Sequence, residues 1–168
     1  PPRRVVAELM EVNLDQPAVA GRSDYAANVG DGPVSTVQAN SNRFHDPGPA
    51  SLEAEATYNW WSRNQNGVCY QRSQIKITDI IDGTSNTYMV GEKQCNPDSI
   101  ATGVGDNGDD NFMYMGFDPD NSRWTWSGYG TPQRDRPGLV NYFAFGSAHA
   151  SGINMVFCDG SVRHIPYS

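Results

Sequence analysis

A mostly antiparallel β fold of the α+β class is what this sequence predicts, and three observations carry that expectation. The chain closes on a hairpin pattern, Ile153-Asn-Met-Val-Phe-Cys158, then Asp159-Gly160, then Ser161-Val-Arg-His-Ile165. Glycine (17) and proline (11) are abundant, as turn-rich β proteins require. Charged residues make up only 18% of the chain, too few for long exposed helices. A length of 168 residues suits one domain over 1–168. Within it, 1–22 reads as a lead-in segment, 96–138 as a long acidic and aromatic loop, and 139–168 as a terminal strand and hairpin.

The elements follow in order. Val5 to Val12 reads as a strand or a short helix. Arg22 to Gly30 reads as a short strand ending in a turn. Asp31 to Ala50 is loop, broken by Gly32-Pro33, Asn40-Ser-Asn42 and Asp46-Pro-Gly-Pro49. Ser51-Leu-Glu-Ala-Glu-Ala-Thr57 has a capping-type start and good helix formers, which predict a short helix. Asn66-Gly67 opens a predicted strand over Val68 to Gln71. Ile75 to Ile81 has mixed periodicity and runs into a dense turn cluster, Asp82-Gly83-Thr-Ser-Asn86. Thr87 to Val90 then reads as a strand. Asn96 to Gly138 shows little regular pattern, and a span that irregular is usually functional or stabilised by something extra. Asn141 to Phe145 is a predicted strand. In the terminal hairpin, Asp-Gly predicts a two-residue type I′ turn, in which Phe157 faces Val162 and Met155 faces His164.

Charge and cysteine usage narrow the functional classes. A formal net charge of -7 argues against nucleic acid and against an anionic membrane surface, both of which need a basic patch. No stretch is apolar enough to span a bilayer. The chain opens at Pro1-Pro2-Arg3-Arg4 without Met or a signal peptide, as a processed, truncated or partial product would. Cys69, Cys95 and Cys158 form no C-x-x-C pair, so a zinc ribbon is not expected. Cys69 and Cys95 lie near the ends of two predicted strands and are the candidate disulfide.

Three constellations could carry chemistry. Asp106, Asp109, Asp110, Asp118 and Asp120 are oxygen-rich and suit calcium, a hard cation, although the spacing is not that of an EF-hand. The mechanical argument is stronger: a long loop with several carboxylates needs counter-charge to stay ordered. The alternative is a solvated, turn-rich loop. Trp60-Trp61, Trp124, Trp126 and Tyr129 form either a sugar-stacking platform or packing anchors, and packing is favoured. His149 is separated from Asp159-Gly160 by nine intervening residues, with no nucleophile elbow near it. Its imidazole is expected to satisfy groups near Asp159 or Asp82 and not to act in catalysis. Asp82, Gly83 and Asn86 lack the lysine of a phosphate loop and are expected to cap their own backbone. Glu92, if buried, needs a partner, for which Arg72 or Arg163 are candidates.

Several blocks then resemble one family. They are Ser23-Asp-Tyr-Ala-Ala-Asn-Val-Gly30, Asn66-Gly-Val-Cys-Tyr-Gln-Arg-Ser73, Ile77 to Thr87 with Val90-Gly-Glu-Lys93, the acidic block through Asp118 and Arg123, Pro132-Gln-Arg-Asp135, and Phe145-Gly-Ser-Ala-His149 through Arg163. In this order, from about Ser23 to the end, they resemble the planctomycete DUF1559 family, prepilin-type proteins of unknown function with an H-x9-DG signature. The resemblance implies a pilin-like or pseudopilin-like head domain of the type II secretion class, here without its N-terminal helix. It also implies a place outside the cell, at the cell surface or in the periplasm. Some related pseudopilins hold calcium in a C-terminal loop. No reaction is implied.

The expected role is therefore structural: a subunit of a pseudopilus, surface fibre or coat, self-assembling or joined to other envelope subunits, touching a membrane only through the absent helix. It is not expected to be an enzyme. One alternative is a glycan-binding or adhesion module on Trp124, Trp126 and Tyr129. A weaker one is a hydrolase with a carboxylate pair drawn from Asp106, Asp109, Asp118, Asp120 or Asp135.

Overall fold

A computed structural model of the chain describes residues 4–6, 19–32, 48–60, 65–114 and 116–167. The described strands are β1 (Arg4–Val6), β2 (Val19–Gly21), β3 (Tyr25–Asn28), β4 (Tyr88–Glu92), β5 (Ser122–Arg123), β6 (Gln133–Arg134), β7 (Gly146–Ser147), β8 (Gly152–Phe157) and β9 (Val162–Pro166). Five of them form the main sheet, in the order β5-β3-β4-β8-β9. Three of its contacts are antiparallel, and β3 pairs with β5 in parallel. β1 and β2 make a separate antiparallel pair, and β6 and β7 a short parallel one.

The fold is thus mostly β with a mixed sheet, and the described residues hold no α-helix. The helix expected over Ser51 to Thr57 is a single 3-10 turn at Glu55–Thr57 with no buried residue, so nothing packs to extend it. Val68 to Gln71 is bends and turns. Asn141 to Phe145 runs through a turn at Tyr142 and Phe143 into two single bridges, Ala144 to Trp124 and Phe145 to Lys93. Of the first predicted element, Val5 and Val6 lie in the strand Arg4–Val6, and Ala7 to Val12 lies outside the described residues.

The hairpin forms, with its register one residue away from the expected one. Val156 pairs with Val162, Met155 with Arg163 and Asn154 with His164. The reason is in the turn. A type I′ turn needs positive φ at two residues, and here only Gly160 (φ 83°) takes it. The N–H of Gly160 donates to the Phe157 carbonyl and that of Phe157 to the Ser161 carbonyl, which makes a three-residue loop of Cys158, Asp159 and Gly160.

Alternation along β8 builds the apolar core. Ile153, Met155 and Phe157 point inward and pack with Phe145, flanked by Tyr88, Ile165 and Tyr167. Gly91 on β4 leaves the space that Met155 fills, since a Cβ there would sit 2.6 Å from the Met155 sulfur. At the end of β3 the chain returns at closest backbone approach. Gly67 N–H donates to the Val29 carbonyl at 2.9 Å, and a Cβ on Gly67 would lie 2.4 Å from the Val29 carbonyl carbon. Gly67→Ala should therefore lower stability by about 2–3 kcal/mol, read as a shift of the urea midpoint.

Candidate functional site

The irregular stretch from Asn96 onward is folded around three buried cations. Arg22, just before β3, donates to the Asp109 carboxylate at 2.7 Å and to the Asp109 and Ile100 carbonyls. Lys93, just after β4, pairs with the other Asp109 oxygen at 2.9 Å. It also donates to the carbonyls of Gly108 (2.8 Å) and Asp120 (2.9 Å). Arg123 on β5 is fully buried and reaches the carbonyls of Ala144, Ser122, Gln94 and Gly108. A loop with few ladder partners must satisfy its carbonyls elsewhere, and these side chains do it. Gly108 accepts from both Lys93 and Arg123, and a Cβ on it would press 2.6 Å from the Arg123 guanidinium.

The carboxylates of the acidic block turn inward as well. Asp106 accepts the N–H of Asn96 (2.7 Å) and of Gly108 (3.2 Å). Asp120 accepts the N–H of Asn111 at 2.8 Å, and Asp118 accepts that of Asp120 at 2.8 Å. Asp106, Asp109, Asp118 and Asp120 are each at most 2% exposed. Burial, with Asp120 beside it, pushes the Asp118 carboxyl up to about 9, and burial with Asp120 and Asp106 nearby pushes Asp110 up to about 7. Burial presses the Arg123 guanidinium down, against the pull of Cys95, Asp120, Asp106 and Asp109. No group of three or more His, Cys, Asp or Glu side chains able to hold a metal ion occurs among the described residues. Within the expected calcium set, Asp106, Asp118 and Asp120 accept backbone N–H groups and Asp109 meets Arg22 and Lys93.

The signature residues fall into two places. His149 Nε2 lies 3.2 Å from Glu92 Oε1, with the His149 side chain 59% exposed. Glu92 on β4 accepts the N–H of Asn154 on β8 at 2.7 Å, so its carboxylate sutures two central strands. Its partners are thus Asn154 and His149. The arginines expected there are engaged elsewhere, Arg72 with Glu55 and Arg163 with Asp159. His149 likewise meets Glu92 and not the neighbourhood of Asp159 or Asp82. Asp159 accepts the N–H and hydroxyl of Ser161, which lowers its pKa. The hairpin tip then docks on the other turn: Asp159 N–H donates to the Thr84 carbonyl and Cys158 N–H to that of Thr87. That turn caps itself as expected, with Asn86 donating to the Asp82 carbonyl and Thr87 to that of Gly83 (φ 86°).

This order of blocks, from the β3 segment to the Asp159 hairpin, is matched by the family model described as a protein of unknown function (DUF1559), over residues 15–168. The chain belongs to the DUF1559 family. No curated protein and no solved structure matches it.

The aromatic residues, Asp135 and the cysteines complete the candidate set of this DUF1559 chain. Trp124 is 3% exposed and packs edge-on against Phe143 (5.2 Å) and Phe117 (6.1 Å), so it is core and not a sugar platform. Trp126 is half-buried over Gly128, and the side chains of Tyr129 and Trp61 lie outside the described residues. Asp135, offered as half of a hydrolytic pair, accepts the N–H of Cys95 at 3.0 Å. No disulfide joins the three cysteines in this structure, the Cys69–Cys95 pair included. Cys95 is buried with its thiol on the Lys93 carbonyl, beside Arg123, a different neighbourhood from that of Cys69. Sequence reasoning did not single out Arg22, Lys93 or Arg123 as site residues. The demand of the acidic loop for counter-charge was the signal that pointed to them.

Two outcomes follow. Lys93→Met removes a charge from Asp109 and leaves the Gly108 and Asp120 carbonyls short of a donor, so it should cost about 3–5 kcal/mol in chemical denaturation. Asp118 and Asp110 bind protons more tightly folded than unfolded. Their stabilisation is complete below the ordinary 3.8 and is lost as pH rises, through about 7 for Asp110 and about 9 for Asp118. Asp118→Asn keeps the oxygen that accepts Asp120 N–H and removes the charge. Melting curves from pH 4 to 9 should therefore fall less steeply for that variant than for the parent.

Proposed function

We propose that this chain is the pilin-like head of a structural subunit, exported to the cell surface or periplasm, that works by assembling with its own copies or with other envelope subunits. It is a building element and not a catalyst. One observation carries the reading: the residues most suited to chemistry serve the scaffold. His149 steadies Glu92, Glu92 joins β4 to β8, Asp159 shapes the hairpin tip, and the acidic block is folded inward onto Arg22 and Lys93.

The surface supports the same reading. Ile77 (76% exposed), Ile81 (93%) and Val162 (65%) present large apolar side chains to solvent. Such residues on a polar, acidic protein suit contacts between subunits. β9 ends the main sheet with one side unpaired among the described strands, an edge on which another chain can add.

The test uses the full-length protein in its own cells. Shearing the cells, sedimenting the released material and cross-linking it should recover the chain in a pelletable surface fraction. Links between subunits should map near Ile77, Ile81 and β9. Recovery only as an intracellular monomer would overturn the proposal.

A further inference from the structure

Two arginines are left over when the guanidiniums of this molecule are matched to their partners. Arg22 and Arg123 are buried against the acidic loop, Arg72 pairs with Glu55, and Arg163 pairs with Asp159. Arg134 and Arg136 have neither an ion pair nor a guanidinium hydrogen bond among the described residues. That is not for want of carboxylates, since the chain has 19 acidic residues against 12 basic ones. Both arginines line one cavity of about 690 Å³ that opens at the surface beside β6, walled also by Pro132, Asp135, Pro137 and Tyr167. A volume of that size suits a small organic molecule. The wall is pinned at several points. Gln133 N–H donates to the Phe145 carbonyl at 3.2 Å and Asp135 N–H to the Ser147 carbonyl at 2.9 Å. The Asp135 carboxylate accepts the N–H of Cys95 at 3.0 Å, and Gly138 N–H donates to the side chains of Asn96 (3.2 Å) and Asp98 (3.0 Å). The Tyr167 hydroxyl donates to the Ser147 carbonyl at 3.0 Å. Alternation along this extended segment puts Arg134 and Arg136 on one face, with Cα atoms roughly 7 Å apart, and Asp135 between them on the other. Two guanidiniums against the one carboxylate of Asp135 make the cavity locally positive on a molecule of net charge -7.

We propose that this cavity binds a small dicarboxylic acid, each of whose carboxylates is taken by one guanidinium fork. The planar fork matches a carboxylate in two parallel hydrogen bonds, which is why arginine and not lysine suits the site. The spacing of the two side chains selects two separated charges on one short skeleton. A compact ion such as sulfate meets one guanidinium, or draws both together against their mutual repulsion. Pro132 and Pro137 give the carbon skeleton apolar surface to cover. The pinned wall means that binding orders two side chains and little backbone, which keeps its entropic cost low. No bond is made or broken, and the site does not depend on the assembly role proposed above.

The experiment titrates glutarate into the purified full-length protein in neutral, low-salt buffer, followed by calorimetry and by backbone-amide chemical shifts, with butyrate and sulfate as controls. Glutarate should bind with a Kd of about 0.1–1 mM, weaken as salt is added, and shift the amides of Gln133 to Arg136 and of Tyr167. Butyrate, with a single carboxylate, and sulfate should each bind about tenfold more weakly or worse. Arg134→Gln and Arg136→Gln should each weaken glutarate by about tenfold or more, and Arg163→Gln, on the hairpin, should leave it unchanged. Arg134 and Arg136 are exposed, so glutamine is compatible with the fold, and the parent's shift map tests the site without any variant. Sulfate binding as tightly as glutarate, shifts scattered over the surface, full affinity in both glutamine variants, or no binding at millimolar concentration would each overturn the proposal.

Discussion

Asp109 holds the acidic half of this molecule together. Its carboxylate sits between Arg22 and Lys93, all three buried, and the two cations go on to bind carbonyls of the same loop. The Coulomb attraction alone does not make such a cluster favourable, because removing three charges from water is costly. What makes the arrangement work is that every cation also satisfies carbonyls that have no ladder to join. The loop thereby acquires the role of a second core. It is polar, it adjoins the apolar core of Phe145, Ile153, Met155 and Phe157, and it touches that core through the neighbours Lys93 and Phe145, which bridge to one another.

Part of this was legible in the residues. The terminal hairpin, the strand around Tyr88 to Val90 and the self-capping turn at Asp82 to Asn86 follow from local chemistry, and local chemistry decided them. The register of the hairpin did not follow, because Asp159-Gly160 fits two turn geometries, and the docking of Cys158 and Asp159 on Thr87 and Thr84 holds the longer one. The weak strand pattern of Val68 to Gln71 was overridden by the close approach of Gly67 to Val29, a contact no local window contains. The acidic loop was read correctly as short of counter-charge. Its source was not readable, since Arg22 and Asp109 stand 87 residues apart.

The signature histidine and the signature turn, separated by one strand, end in different environments. His149 meets Glu92 at a mostly exposed position, where such a pair contributes little to stability. The larger contribution comes from Glu92 itself, which accepts a buried-strand N–H from Asn154. The fixed spacing of His149 to Asp159 measures the length of β8 from its entry to its tip. Its physical content is a constraint on strand length that lets one end meet Glu92 and the other meet the Thr84 turn.

The position of β4 has a kinetic consequence. β4 is flanked by β3 on one side and by β8 on the other, and Glu92 bonds to a residue 62 positions later. The central strand therefore stays half-paired until β8 has been synthesised. Closing contacts over such separations slows folding. A chain built this way stays partly unpaired for longer than a locally wired domain would, and its main sheet closes only once β8 and β9 have joined.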